Sequence, residues 1–247
     1  MGGNSQTGPA TRRNFHGRRV GKALRPGQKA LLAELLDNYR IPGVAPAENR
    51  QRQPVDPGAG FGNVRQIWLE VGFGSGEHLV RQAAENPDIG FVGCEPYVNG
   101  VASLLAKLRN SGLENVRIHP GDVREFFDVA ADNSIGKVFV LYPDPWPKTR
   151  HHRRRFVTAE YLEPLARICM PGAEIRLATD IADLARQAVV EFGRMTEFSW
   201  TAGRRSDWTT PWPGWRPTRY EDKAISQGRS PIYLTFARSN AGAMPDR

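Results

Sequence analysis

A mostly parallel α/β sheet with helices on both faces is the fold this sequence predicts, on two observations. From Gln66 onward, short β-rich runs alternate with helical stretches, the pattern of right-handed βαβ units. The chemically unusual residues, glycine-rich, acidic or proline-rich, all follow predicted strands. They therefore share the carboxyl rim of the sheet, where open α/β folds bind their ligands.

The elements follow in chain order. Residues 1–26 are glycine, arginine and polar residues with no apolar period, so a mobile basic arm is expected there and a single domain over 27–247. Leu31, Leu32, Leu35, Leu36 and Tyr39 recur at helical spacing and predict an amphipathic helix over Gly27–Arg40 packed on that domain. Ile41–Asn63, with its prolines and glycines, reads as a linker or a loop draped on the surface. Strands are expected at 66–71, 90–95, 115–119, 137–142 and 173–180, with 197–200 and 231–237 closing a sheet of seven. Helices are expected near Glu77–Asn86, through Leu104, Leu105 and Leu108, over Arg153–Met170 and over Ile181–Gly193.

Composition narrows the class of function. The chain has 247 residues, 40% apolar and 24% charged, which is globular rather than disordered. No apolar run approaches the roughly 18 residues that span a bilayer, and no secretory h-region opens the chain. Cys94 and Cys169 stand far apart in apolar segments, as reduced cytosolic thiols do. A cytoplasmic protein without a membrane or metal partner is expected. Lysine and arginine total 34 against 26 acids. Arg12, Arg13, Arg18, Arg19, Lys22, Arg25 and Lys29 all precede the first acid, Glu34, and a second basic run fills Lys148–Arg155. Two blocks of one sign are the footprint of a phosphate-bearing polyanion.

Three segments carry chemistry. In Glu70-Val-Gly-Phe-Gly-Ser-Gly76, glycines at 72, 74 and 76 let the backbone turn tightly and approach a ligand. A dinucleotide fingerprint has its third glycine one place later, so that pyrophosphate can sit on the helix N-terminus; an NAD-dependent oxidoreductase is thereby disfavoured. Glu70, Glu95 and Asp122 end three successive strands. Glu95 is expected to accept from ribose hydroxyls and Asp122 from an adenine amino group, although either acid also suits a turn or a helix cap. Together with the glycines they describe a nucleoside pocket for S-adenosylmethionine. The second segment, Tyr142-Pro-Asp-Pro-Trp-Pro-Lys148, is held extended by its prolines and passes into Arg150, His151, His152, Arg153, Arg154 and Arg155. An acid with an aromatic suits a nucleobase, and the adjoining cations suit its phosphates. The third comprises Asp180, after the fifth strand, and Thr218-Arg-Tyr-Glu-Asp-Lys-Ala224, which alone is only a helix start with capping-box spacing. Trp208, Trp212 and Trp215 are expected to be packing anchors.

Taken together, LEVGFGSGEHL, GCEPY, Asp122, LYPDPWPKTRHHRRR, ATD and TRYEDKA resemble the bacterial tRNA (guanine-N7-)-methyltransferase family, over roughly Arg18 to Ala237. The resemblance implies a Rossmann-like S-adenosylmethionine-dependent methyltransferase fold that forms 7-methylguanosine at position 46 in the tRNA variable loop. Its cofactor positions fall on Glu70, Glu95, Asp122 and Asp144, and Asp144 matches its active-site residue. Its tRNA-substrate positions fall on Lys148, Asp180, Thr218, Arg219, Tyr220 and Glu221, and its RNA-contacting run on Arg150–Arg155. GCEPY departs from the pattern expected at that strand, which bears on the adenosine contacts. No obligate protein partner is expected. Two other readings stay open at this point: an N6-adenine methyltransferase, whose acid-Pro-Pro-aromatic motif also ends strand four, and a non-catalytic RNA-binding protein of the same fold.

Overall fold

The computed structural model describes residues 14–240. Arg12 and Arg13 of the first basic block lie outside the described residues. Elements in chain order are α1 (Pro26–Tyr39), β1 (Gln66–Val71), α2 (Glu77–Glu85), β2 (Ile89–Cys94), α3 (Val98–Ser111), β3 (Val116–His119), α4 (Val123–Phe127), β4 (Ile135–Leu141), α5 (Ala159–Ile168), β5 (Cys169–Thr179), α6 (Ala182–Gly193), β6 (Phe198–Trp200), α7 (Ser206–Thr209), α8 (Arg219–Ser226) and β7 (Ile232–Arg238). The strands form one sheet in the order β3-β2-β1-β4-β5-β7-β6. Strands β1 to β5 pair in parallel, and β7 runs antiparallel between β5 and β6.

Side-chain alternation along the central strands divides the core between two faces. In β2, buried along its whole length, Phe91 joins Leu79, Leu104, Leu105 and Leu108 on the face covered by α1, α2 and α3. Its neighbours Val92 and Cys94 join Phe126, Leu162, Leu165 and Leu184 on the face covered by α4, α5 and α6. The rings of Phe192 and Phe236 stack at 3.9 Å and fasten α6 to β7. Both cysteines are buried free thiols, and burial pushes Cys169 up to about 12. No helix among the described residues is long and apolar enough to cross a membrane.

The structure departs from the sequence reading at three places. Residues 41–63 are not merely draped on the surface: Ile41 and Val44 sink into the core. The Ile41 amide donates to the Ile118 carbonyl at 3.1 Å, and Val55 exchanges hydrogen bonds with Val129 and Ala131 at 2.7 and 3.0 Å. The segment thus covers the open edge of β3, which would otherwise expose unpaired backbone groups. The helix expected over Arg153–Met170 is split into a 3-10 turn at Thr149–Arg154 and α5, because Arg155 is extended and Phe156 and Val157 are buried; β5 then begins at Cys169, four residues early. Within the expected mobile arm, residues 14–25 are bonded to the domain. Val98 donates to the Arg19 carbonyl at 3.0 Å, the Gly21 amide to Asn99 at 3.1 Å, and Asn99 to the Lys22 carbonyl at 2.9 Å.

If the 41–63 segment is part of the core, Val44→Ala should lower the unfolding free energy by about 1–3 kcal/mol in a denaturant titration. Val20→Ala, at a valine that is 68% exposed, should change it by less than about 0.5 kcal/mol.

Candidate active site

The chain builds β1, β2 and β3 outward in one direction, then returns to place β4 on the other side of β1. At that reversal the two following loops part and leave a crevice at the carboxyl ends of the strands. It holds a cavity of about 770 Å³, within the range of small-molecule sites. Gly72, Gly74, Glu95 and Asp122 line one side, and Tyr142, Asp144 and Trp146 the other.

The glycine loop is held from behind. Gly72, Gly74 and Gly76 all have positive φ, and Gly76 is the left-handed cap that starts α2. A Cβ on Gly100 of α3 would fall 2.3 Å from the Gly74 carbonyl oxygen, so only glycine lets α3 approach this closely. Lys107 of α3 donates to the Ser75 carbonyl at 2.8 Å. Glu95 accepts the Gly74 amide at 2.7 Å and the Tyr97 amide at 2.9 Å. Its carboxyl lies above the ordinary glutamate range, chiefly through burial, with the charges of Asp144 and Glu70 adding to it and the two amides opposing. Each oxygen retains acceptor capacity toward the cavity.

Glu70 and Gly76 do not reach the cavity wall. Glu70 is buried and bonds His78 Nδ1 at 2.7 Å, with the His78 ring packed against Phe139 and Trp215, so it stands behind the wall that Glu95 lines. Asp122 does line the cavity and also caps α4, accepting the Arg124 amide at 3.0 Å. It is paired with the Arg124 guanidinium at 2.5 Å, which also reaches Glu160 at 2.6 Å and the Asn14 carbonyl at 3.2 Å.

Across the crevice, the proline-rich segment contains two non-glycine residues with left-handed backbone, Tyr142 at φ 51° and Trp146 at φ 42°. Such conformations persist only where the surroundings over-determine them. The Tyr142 phenol donates to Glu221 at 2.7 Å, and the Arg154 guanidinium lies 5.1 Å over the Trp146 ring. Between these anchors Asp144 is exposed and takes no hydrogen bond from another described residue.

The remaining expected site residues divide. Arg219 and Tyr220 line the cavity, with Tyr220 within 4 Å of where a Cβ on Gly74 would stand. Lys148 is exposed outside the lining, and Asp180 is ion-paired with Arg229. Thr218 caps α8. Glu221, expected to hold substrate, is instead 2% exposed and bonded to Tyr142, Trp215 and Tyr233. In the basic run, Arg150 and Arg153 are exposed, while His151, His152 and Arg154 are half-buried. Arg155 is 1% exposed and is not available to a phosphate: it bonds the Pro145 carbonyl, Gln187 and Asp183, each at 2.8 Å. Trp212 is buried, Trp208 packs on the core and Trp215 bonds Glu221, as packing anchors do.

Sequence reading missed Gly100, Arg124 and the Asn14–Arg18 stretch at the cavity mouth. Nothing local marks Gly100 or the N-terminal stretch. Arg124, two residues after Asp122, carried only the faint signal of a possible short-range ion pair. Among the described residues no group of three or more His, Cys, Asp or Glu side chains is placed to hold a metal ion.

Comparison with known proteins places this geometry among methyltransferases. The family described as "Putative methyltransferase" matches residues 64–234. The tRNA (guanine-N(7)-)-methyltransferase of Ruegeria pomeroyi is 57% identical over 92% of this chain and 95% of its own. Those of Paracoccus denitrificans, with the same coverage, and Mesorhizobium japonicum, over 91% and 94%, are 54% and 43% identical. Among solved structures, the 16S rRNA methyltransferase KamB superposes with a TM-score of 0.55 at 17% identity, over 81% of this chain and 99% of its own. At that identity the likeness bears on the fold alone.

The contrast between neighbouring arginines is testable. Arg155→Ala should cost about 2 kcal/mol of stability by removing a buried guanidinium together with its bonds to Pro145, Gln187 and Asp183, whereas Arg153→Ala should change it by less than about 0.5 kcal/mol in the same melt.

Proposed function

The chain belongs to the tRNA (guanine-N(7)-)-methyltransferase family, and on that premise we propose that the rim cavity binds S-adenosylmethionine together with a guanine of the tRNA variable loop, position 46, and forms 7-methylguanosine there. The observation that carries this reading is the juxtaposition, across one crevice, of a glycine loop backed by Glu95 and the carboxylate of Asp144, which has no hydrogen-bond partner among the described residues. The residues fit the cofactor. Gly72 faces open space, Glu95 and Asp122 offer acceptors to an adenosine, and the negative charge of Asp144 suits a sulfonium. When bound, S-adenosylmethionine supplies a methyl group on a cationic sulfur.

Guanine N7 has an in-plane lone pair and no proton, so the reaction needs no general base. The protein contributes alignment and a field that favours a purine becoming cationic. Asp144 orients the base and stabilises the developing charge without taking a proton. Arg219 and Tyr220 border the same opening, and the exposed Arg150 and Arg153 meet phosphates beyond it. An N6-adenine acceptor would require removal of an amino proton, and no base is needed for the reaction named by the family.

Incubation with total tRNA and labelled cofactor, followed by nucleoside mass spectrometry, should yield 7-methylguanosine; N6-methyladenosine instead would overturn the reading. Asp144→Asn should lower the methylation rate about 10²–10³-fold while tRNA affinity changes little.

Protonation of Glu95 gives a second test. Its carboxyl is raised in the free protein, and a cationic, hydroxyl-donating ligand favours the charged form, so binding lowers its pKa and releases a proton. Cofactor affinity should therefore weaken as pH falls into the range where the raised Glu95 carboxyl takes up its proton, in calorimetric titrations. Glu95→Gln should abolish that dependence.

A further inference from the structure

The inference rests on the reading of Asp144 above and concerns what aims that side chain. Glu221 sits in the first turn of α8 with its carboxylate closed off from solvent. Oε2 accepts the Tyr142 phenol at 2.7 Å and Trp215 Nε1 at 2.9 Å; Oε1 accepts the Tyr233 phenol at 2.7 Å and a longer contact from Trp215 at 3.2 Å. These contacts use the acceptor sites of a carboxylate, and Glu221 is not part of the cavity wall. The rings of Trp212, Trp215 and Tyr233 meet edge to face around it and keep water out. Burial and the bond to Glu221 hold both phenols far above their usual range, so they remain donors at any working pH.

Two of the donors differ in what they belong to. Tyr233 lies on β7, inside the sheet, paired with Ala178. Tyr142 begins the turn that leads to Asp144, in a left-handed conformation that non-glycine residues rarely adopt. Its amide is fixed by the Ala178 carbonyl at 2.8 Å and its phenol by Glu221, so both ends of the residue are tied. The helix that carries Glu221 also brings Arg219 and Tyr220 to the glycine loop. We infer that Glu221 is a positioning residue rather than a substrate ligand: through the Tyr142 phenol it fixes the turn that aims Asp144, and through α8 it sets that turn against the glycine loop.

The two tyrosines make a matched test, since Tyr142→Phe and Tyr233→Phe each remove one 2.7 Å bond to the same carboxylate. Steady-state methylation of tRNA and direct binding of tRNA and cofactor are measured for each variant, with the folded fraction checked by near-ultraviolet circular dichroism. Tyr142→Phe should lower kcat about 10- to 100-fold, as misplacement of a reacting group does, with both binding constants within about twofold of wild type. Tyr233→Phe should lose comparable thermal stability yet keep kcat within about threefold, because the sheet holds its backbone regardless. Glu221→Gln should also lower kcat, and the Tyr142→Phe, Glu221→Gln double variant should be no slower than the slower single one, as expected for residues acting through one contact. Wild-type kcat in Tyr142→Phe, equal losses in the two tyrosine variants, or a Glu221→Gln enzyme with weakened tRNA binding at unchanged kcat would each overturn the inference. Failure of the wild-type protein to form 7-methylguanosine in the same assay would overturn the proposed reaction instead.

Discussion

The parallel pairing of β1 with β4, Trp68 against Lys137 through Val71 against Val140, is the constraint on which the rest of the site depends. These strands are neighbours in space but are separated in the chain by two βα units. Their register brings the end of β1 and the end of β4 level, so the glycine loop and the proline-rich segment begin at the same height on opposite sides of a gap. A shift by two residues would carry Asp144 past Glu95 by the length of a side chain. The core on both faces fixes that register, because a one-residue slip would turn Val138 and Val140 away from the apolar layer they fill.

Charge is distributed unevenly among the acids at this rim. Glu70 is spent on His78, Asp122 on Arg124 and Glu221 on three aromatic donors, while Glu95 is half engaged by backbone amides. Asp144 alone among these acids meets the cavity without a partner from the described residues. Holding it there costs something. Left-handed backbone at Tyr142 and Trp146 is worth about 1–3 kcal/mol of strain at each residue. A hydrogen bond to a charged group contributes about 1.5–3 kcal/mol. The bonds from Tyr142 to Glu221 and from Arg155 to the Pro145 carbonyl are thus of the size needed to hold the turn.

The architecture was legible in the sequence because it is written in period and punctuation. Alternating apolar runs marked the strands, and Gly72, Gly74 and Gly76 marked the turn after the first. What was not legible shares a physical cause. A charged side chain in a basic run looks alike whether it meets water or a buried carbonyl, so Arg155 read as one more phosphate contact. An acid in a family motif looks alike whether it is open to a ligand or closed in by aromatic donors, so the burial of Glu221 was not legible. Ile41 and Val44 were hidden because a segment whose apolar residues are sparse and irregularly spaced has no period to show. Gly100 acts through Gly74, and Arg124 reaches Glu160 and Asn14 besides its neighbour Asp122; one sequence carries no record of such distant pairs.

The position of β7 has a consequence for synthesis. It lies between β5 and β6 in the sheet but is the last strand in sequence order among the described residues. A nascent polypeptide emerging from the ribosome, at about 5–20 residues per second, can assemble β1 to β5 and the glycine-loop wall of the cavity first. Until residues 232–238 arrive, β6 has no neighbour, Phe192 lacks its stacking partner and Glu221 lacks Tyr233. Sheet closure and completion of the aromatic cage are therefore one late event. A chain cut short by a few dozen residues would retain the glycine loop and the Asp144 segment in its sequence, yet lack the strand that joins them to a finished protein.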